Sequence, residues 1–266
     1  MDKNKFSYDI ADELFTKSDI DQYAKRNTLE KENLTINEIT IFTKDNPYMK
    51  NKGTYCSFVF DHIEEDEVYK KLKKYLKKYL LEFITSLCKK DKPSILFVGL
   101  GNENYVPDSL GPRVVKNINS NYFYKKQIGC LIPQVMAITG METCDIIKGV
   151  LKYHHYDLVI VIDSLATSSI KRLNKTIQIT DSGIQPGSGI KNYRKEITKE
   201  ELSTPVLVIG IATVISYQKI IEEFVSENQI DIKLKFSNDL VLTTKEIEHE
   251  IDYLTLLISE VLNQVI

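Results

Sequence analysis

Short apolar runs alternate with longer amphipathic stretches along most of this chain. The clearest run, Leu158-Val-Ile-Val-Ile162, holds five consecutive apolar residues, four of them β-branched. It is too short for a helix of ordinary length and predicts a strand buried on both faces, as in a parallel sheet covered by helices. Ser94 to Gly101 and Pro205 to Gly210 repeat the pattern, and 129–132 and 175–180 predict further strands. Between them the period changes. Leu72, Tyr75, Leu76, Tyr79, Leu80, Phe83, Ile84 and Leu87 recur at three and four, predicting a helix over 64–89. Its other face carries Lys70, Lys71, Lys73, Lys74, Lys77 and Lys78, a solvated face rather than a binding patch.

Further helices are predicted through Val114 and Ile118, from Thr143 to the histidine pair at 154 and 155, over 167–173, and over 213–226. Thr243 and Glu246 have the spacing of a capping box opening a last helix through Ile247, Ile251, Leu254, Ile258 and Leu262. Residues 1–33 read as polar apart from a short helix over 10–15. Leu34 to Phe42 alternates and Gly53 to Phe60 follows as a second strand, a small β pair. The strand–helix alternation from residue 94 onward predicts an α/β fold. It would be a mostly parallel twisted sheet with helices on both faces and a small N-terminal β addition around 34–60.

Composition narrows the function. A chain of 266 residues with 42% hydrophobic and 27% charged residues is ordinary for one large globular domain. A formal net charge of −2 argues against direct nucleic-acid binding, which needs a basic footprint. No run approaches the roughly 18 apolar residues of a membrane span, and Met1 to Asp9 lacks the apolar core of a secretory signal. Cys56, Cys88, Cys130 and Cys144 show neither metal-binding nor disulfide spacing, so reduced thiols in a cytoplasm are expected. The histidines at 62, 154, 155 and 249 form no cluster, and no metal is expected. Gly99-Leu-Gly101-Asn-Glu-Asn104 lacks the third glycine and the later acid of a dinucleotide fingerprint, so no cofactor is expected.

Two carboxylates stand out by position. Asp163 ends the Leu158–Ile162 run, and open α/β sheets hold their ligand crevice outside the carboxyl ends of the strands. Asp108 lies in the loop after the 94–101 run, just before a helix. A helix N-cap is the plainer reading of such a residue. The loop from Asp181 to Arg194, with Gly183, Gly187 and Gly189, is too glycine-rich for regular structure and longer than a simple connection.

The motifs at these places share one order with a known family. Val98-Gly-Leu-Gly-Asn102, Pro107-Asp-Ser-Leu-Gly-Pro112, Val135-Met136, Ile138-Thr-Gly-Met-Glu-Thr143 and Val161-Ile-Asp-Ser-Leu-Ala166 come first. Thr176-Ile-Gln-Ile-Thr-Asp-Ser-Gly183, Pro186-Gly-Ser-Gly189 and Asn192-Tyr-Arg-Lys-Glu196 follow. Together they resemble the germination (spore) protease family. The resemblance implies an endopeptidase of small acid-soluble spore proteins, active in the cytoplasm of the forespore and spore core and assembled as a homo-oligomer. It carries a catalytic aspartate pair onto Asp108 and Asp163, and substrate contacts onto Asn102, Glu142, Asp181, Gly187, Gly189 and Arg194. The implied fold resembles that of hydrogenase-maturation proteases, whose acidic residues at comparable places bind a metal. A metal-dependent peptidase of that type is therefore one alternative, and a catalytically silent spore-protein binder another. The family's zymogen processing implies a propeptide of residues 1–9, cut at Tyr8-Asp9-Ile10-Ala11, ahead of a single peptidase domain over 10–266. The chain departs from the family pattern at Tyr105-Val106, at Gln134 and Ala137, where glycines are usual, and at Ile211-Ala212.

Overall fold

The computed structural model describes residues 9–120, 128–190, 192–232, 235–236 and 240–266; residues 1–8 of the expected propeptide lie outside them. In chain order the strands are β1 (Ala24–Lys31), β2 (Leu34–Ile41), β3 (Gly53–Phe60), β4 (Ile95–Gly99), β5 (Ile128–Leu131), β6 (Leu158–Thr167), β7 (Thr176–Thr180), β8 (Val206–Ser216) and β9 (Val241–Leu242). The α-helices are α1 (Ala11–Leu14), α2 (Asp66–Leu87), α3 (Leu110–Lys116), α4 (Met136–Thr139), α5 (Thr143–Tyr153), α6 (Lys199–Leu202), α7 (Tyr217–Glu227) and α8 (Ile247–Val265).

One sheet runs β1-β2-β3-β7-β8-β6-β4-β5, with β9 beside β8. Its centre, β8-β6-β4-β5, is parallel, as the buried apolar runs predict. The remainder is antiparallel, so the sheet is mixed rather than mostly parallel. The expected β pair has a third member, β1, and is continuous with the main sheet because β3 pairs with β7. β1 escapes sequence reading because only Ala24 in it is buried, which leaves no apolar alternation to see.

The two faces are covered separately. Val68, Leu72, Leu76, Leu80, Phe83 and Ile84 of α2 join Leu254, Ile258 and Val261 of α8 and Leu110 and Val114 of α3 over one face. Cys144 and Ile147 of α5 and Leu202 of α6 cover Val98, Val159, Val161 and Val208 on the other. Ala11 and Leu14 of α1 close the latter face over Ala24, Ile39 and Tyr55. The α2 lysines lie away from the core, Lys70 paired with Asp66 and Lys73 with Glu260. Among the described residues, no helix is long and apolar enough to cross a membrane.

Two element ends differ from expectation for one reason. β6 and β8 stay paired past Asp163 and Gly210 to Thr167 and Ile215, across a bulge at Leu165/Ala166. Each strand therefore runs on through polar residues that read as helix starts. The Thr243 hydroxyl donates to the Thr213 carbonyl in that extension at 2.7 Å. No capping box forms: α8 begins after Glu246 with no side-chain cap.

Candidate active site

β4 stops at Gly99, opposite Ile162, while β8 accompanies β6 for five further residues. The last link to β4's side is the Leu100 N–H, which donates to the Ile162 carbonyl at 2.9 Å. Asp163 is thus not at the end of its own strand, as expected, but where its neighbour ends. The edge of β6 is left without β4 beside it there, at the carboxyl end of the strands where open α/β sheets hold their ligand crevice.

Asp108 is delivered to the same place by backbone packing. A Cβ on Gly111 would lie 2.4 Å from the Leu100 carbonyl oxygen and 2.5 Å from that of Ile162, so α3 can begin against both strands only with glycine there. Asp108, three residues earlier, closes a 3-10 turn over Val106–Asp108 that touches β6 and β8. The chain re-enters through Gly101 at φ +112°, where a Cβ would lie 2.0 Å from the Asp108 carbonyl oxygen. Asp108 does not cap α3. Ser109 stands at the N-cap, and the Asp108 carboxylate instead accepts the Asn102 N–H at Oδ2, 2.9 Å away.

The pair is electrostatically lopsided. Burial pushes the Asp108 carboxyl up to about 6, against the opposing effect of the Asn102 N–H. Burial raises Asp163 well above the carboxylate range, the negative charge of Asp108 adds to this, and that of Asp9 follows. The Ser164 N–H, 2.9 Å from Asp163 Oδ1, opposes the shift. Both carboxyls therefore keep their protons to higher pH than an exposed aspartate does, Asp163 with the charge of Asp108 adding to the effect of burial.

A third carboxylate, that of Asp9, acts on Asp163. Asp9 lies beside the open edge of β6: its N–H donates to the Ala166 carbonyl at 2.7 Å, and its Oδ2 accepts the Ala166 N–H at 3.0 Å. Ser188 Oγ donates to Asp9 Oδ1 at 2.6 Å, and Lys50 Nζ to the Asp9 carbonyl at 2.9 Å. The chain then crosses the sheet, where Ile10 packs on Leu165 and Ala212 and the Ala11 N–H donates to Gln178 Oε1 at 2.8 Å. Gln178, Gly210 and Asp163 are register partners on adjacent strands and so share one face. Sequence reading places Asp9 only at a processing site. Its contact with β6 depends on pairing over more than 150 residues, and Lys50 gives no sequence signal at all.

The other expected contacts divide. Asn102 is at the pair. Gly189 is close by, since a Cβ on it would meet Asp9 Oδ2 at 2.1 Å and the Ala166 Cβ at 2.6 Å. Gly187 turns the same loop at φ +74°, and a Cβ there would meet the Asn192 carbonyl. Asp181 is engaged elsewhere, where its Oδ1 accepts the Thr54 N–H at 2.7 Å and holds the start of β3. Glu142 is the N-cap position of α5 without a side-chain cap, and Arg194 Nη1 reaches Met136 Sδ at 3.2 Å. None of these three has a described contact with Asp108 or Asp163. Among the described residues, no three His, Cys, Asp or Glu side chains converge as a metal-ligand set.

Of the departures from the family pattern, Ala137 lies inside α4, where alanine is at home. Gln134 is at φ +62°, a left-handed backbone that favours glycine.

A structure similar in outline is the NiFe hydrogenase maturation protease HycI from Thermococcus kodakarensis KOD1, at 15% identity and a TM-score of 0.39, covering 69% of this chain and 98% of that one. Sequence relatives are nearer. The germination protease of Bacillus cytotoxicus is 39% identical over 200 residues, covering 70% of this chain and 54% of that protein. That of Priestia megaterium is 43% identical over 179 residues, covering 62% and 48%. The chain thus spans about half the length of the curated relatives it matches. The family model described as germination protease matches residues 8–236, a span that includes Asp9, Asp108, Asp163 and the whole parallel centre of the sheet. This chain therefore belongs to the germination protease family.

Proposed function

We propose that the chain is an endopeptidase that hydrolyses small acid-soluble spore proteins, with Asp108 as general base and Asp163 as general acid. The observation that carries this reading is half-buried Asp108 paired with buried Asp163 at the open edge of β6, where burial and the charge of Asp108 favour a proton on Asp163. Asp108 takes a proton from a water whose oxygen adds to the scissile carbonyl carbon. Asp163 gives its proton to the carbonyl oxygen. When the C–N bond breaks, Asp108 returns its proton to the leaving amine, and the hydroxyl proton of the adduct goes back to Asp163. The Asn102 N–H, fixed on Asp108 Oδ2, holds that carboxylate in place. An extended substrate would add to the β6 edge that Asp9 now touches, as peptides add to exposed sheet edges elsewhere. Family membership supports the substrate class, the spore-core setting and a homo-oligomeric assembly.

The test is incubation of the purified protein with a mixture of small acid-soluble spore proteins, reading fragments by mass. Discrete internal cleavage is expected, lost roughly a thousandfold in Asp108→Asn and again in Asp163→Asn. The double variant should be scarcely worse than either, because the two act as a unit. A single variant with near-normal turnover removes that residue from the mechanism. Loss of activity on dialysis against chelator, restored by one divalent ion, replaces the dyad with a metal-assisted peptidase. Binding without cleavage identifies a silent relative.

A further inference from the structure

Gln134 follows β5 by three residues and occupies a conformation that is costly for any side chain, at φ +62°. Its Nε2 donates to Glu103 Oε1 at 3.1 Å. A carboxylate only accepts, so the amide must present its nitrogen to Glu103. Its own Oε1 is then left buried with no partner among the described residues, a second cost. Glu103 also takes Lys116 Nζ on its other oxygen at 2.5 Å. Glu103 thereby ties α3 and the β5–α4 connection to one point of the 101–108 loop.

That point adjoins the catalytic pair. Asn102, next in the chain, places its N–H 2.9 Å from Asp108 Oδ2 and 3.0 Å from the Asp108 carbonyl, while its own Oδ1 accepts the Asn104 N–H. The loop is thus pinned on Asp108 at Asn102 and on the next strand connection at Glu103. The Lys116 arm is more than half exposed and weakened by solvent. The Gln134 arm is the more buried of the two.

We infer that Gln134 and Glu103 are positioning residues that brace the 101–108 loop, so that the Asn102 N–H is held on Asp108. Its consequence for turnover rests on the peptidase reading; the brace itself does not.

Gln134→Gly separates this role from plain structural support, because it removes the brace and the left-handed strain together. The expected result has three parts. Thermal stability is unchanged or higher, hydrogen exchange at the Asn102 amide is about tenfold faster or more, and kcat is roughly 10- to 100-fold lower at unchanged KM. Glu103→Gln keeps an acceptor for the Gln134 amide and should retain most of the rate, whereas Glu103→Ala should match Gln134→Gly in exchange at Asn102 and in kcat, though not in stability, since the strain at Gln134 stays. Wild-type exchange at Asn102 in both Gln134→Gly and Glu103→Ala overturns the inference, as does wild-type kcat in an active protein. If the wild-type protein cleaves no spore protein the peptidase reading fails, and the exchange measurement still decides the brace.

Discussion

Asp9 and Ala166 exchange two hydrogen bonds, N–H to carbonyl at 2.7 Å and N–H to carboxylate at 3.0 Å, three residues beyond Asp163. Processing at the Asp9–Ile10 bond would leave a new ammonium on Ile10, which is buried against Leu165 and Ala212. An unpaired ammonium in apolar surroundings is strongly disfavoured, so cutting there must release the segment from the sheet. Active protein from germinating spores is expected to begin at Ile10, with the Ala11 amide no longer protected from hydrogen exchange by Gln178. Active protein that retains residues 1–9 contradicts this.

The pair sets the pH response. Cleavage should rise as Asp108 ionises near pH 6 and fall again at higher pH as Asp163 loses its proton. Both limbs belong to the coupled pair. Stability follows the same protons. Asp108 binds its proton more tightly folded, at about 6, than at the usual 3.8, so this contribution is complete below pH 4 and is lost as pH rises through 6. Asp163 extends the loss to higher pH. Replacing both by Asn should flatten the fall in thermal midpoint between pH 5 and pH 8. An equal fall in wild type and the double variant would mean that other groups govern it.

Arg172 anchors the segment after Asp9. Its two terminal nitrogens meet both oxygens of Asp12 at 2.9 and 3.0 Å, and its Nε lies 3.5 Å from Glu13, with both acids almost fully buried. Arg172→Met should cost about 3–5 kcal/mol in urea unfolding, because it strands buried charges. Arg172→Lys should recover only part of this, lacking the planar fork. A loss below 1 kcal/mol for the methionine variant would show that the acids find other partners.

Gly111→Ala tests how Asp108 is placed. The added methyl meets backbone oxygens of Leu100 and Ile162, which cannot swing aside as a side chain can. The strain should cost about 1–3 kcal/mol. The shift of the turn bearing Asp108 should lower kcat by roughly a hundredfold, with the protein still folded. Unchanged kcat would mean that α3 moves without carrying Asp108.

Much of this molecule is determined locally and is therefore legible in the sequence. The run Leu158–Ile162 has no polar position to offer water, so it must be a central strand. The period of Leu72, Leu76, Leu80 and Phe83 allows only a helix lying on that sheet. Asp108 and Asp163 could be picked out because each interrupts or follows such a run. Tertiary structure decided the rest, wherever a partner distant in sequence supplies the stabilising contact. β1 forms although only Ala24 is buried, because β2 completes its hydrogen bonds. Ser164 to Thr167 stay extended because β8 runs beside them, and Thr243 leaves its helix for the Thr213 carbonyl. Asp181 serves Thr54 rather than this edge of the sheet, and Asp9 reaches β6 because Ala166, Ser188 and Lys50 hold it there. A single residue's chemistry names a candidate carboxylate. Which carboxylate keeps its proton depends on burial and on neighbouring charge, and those exist only once the chain has folded.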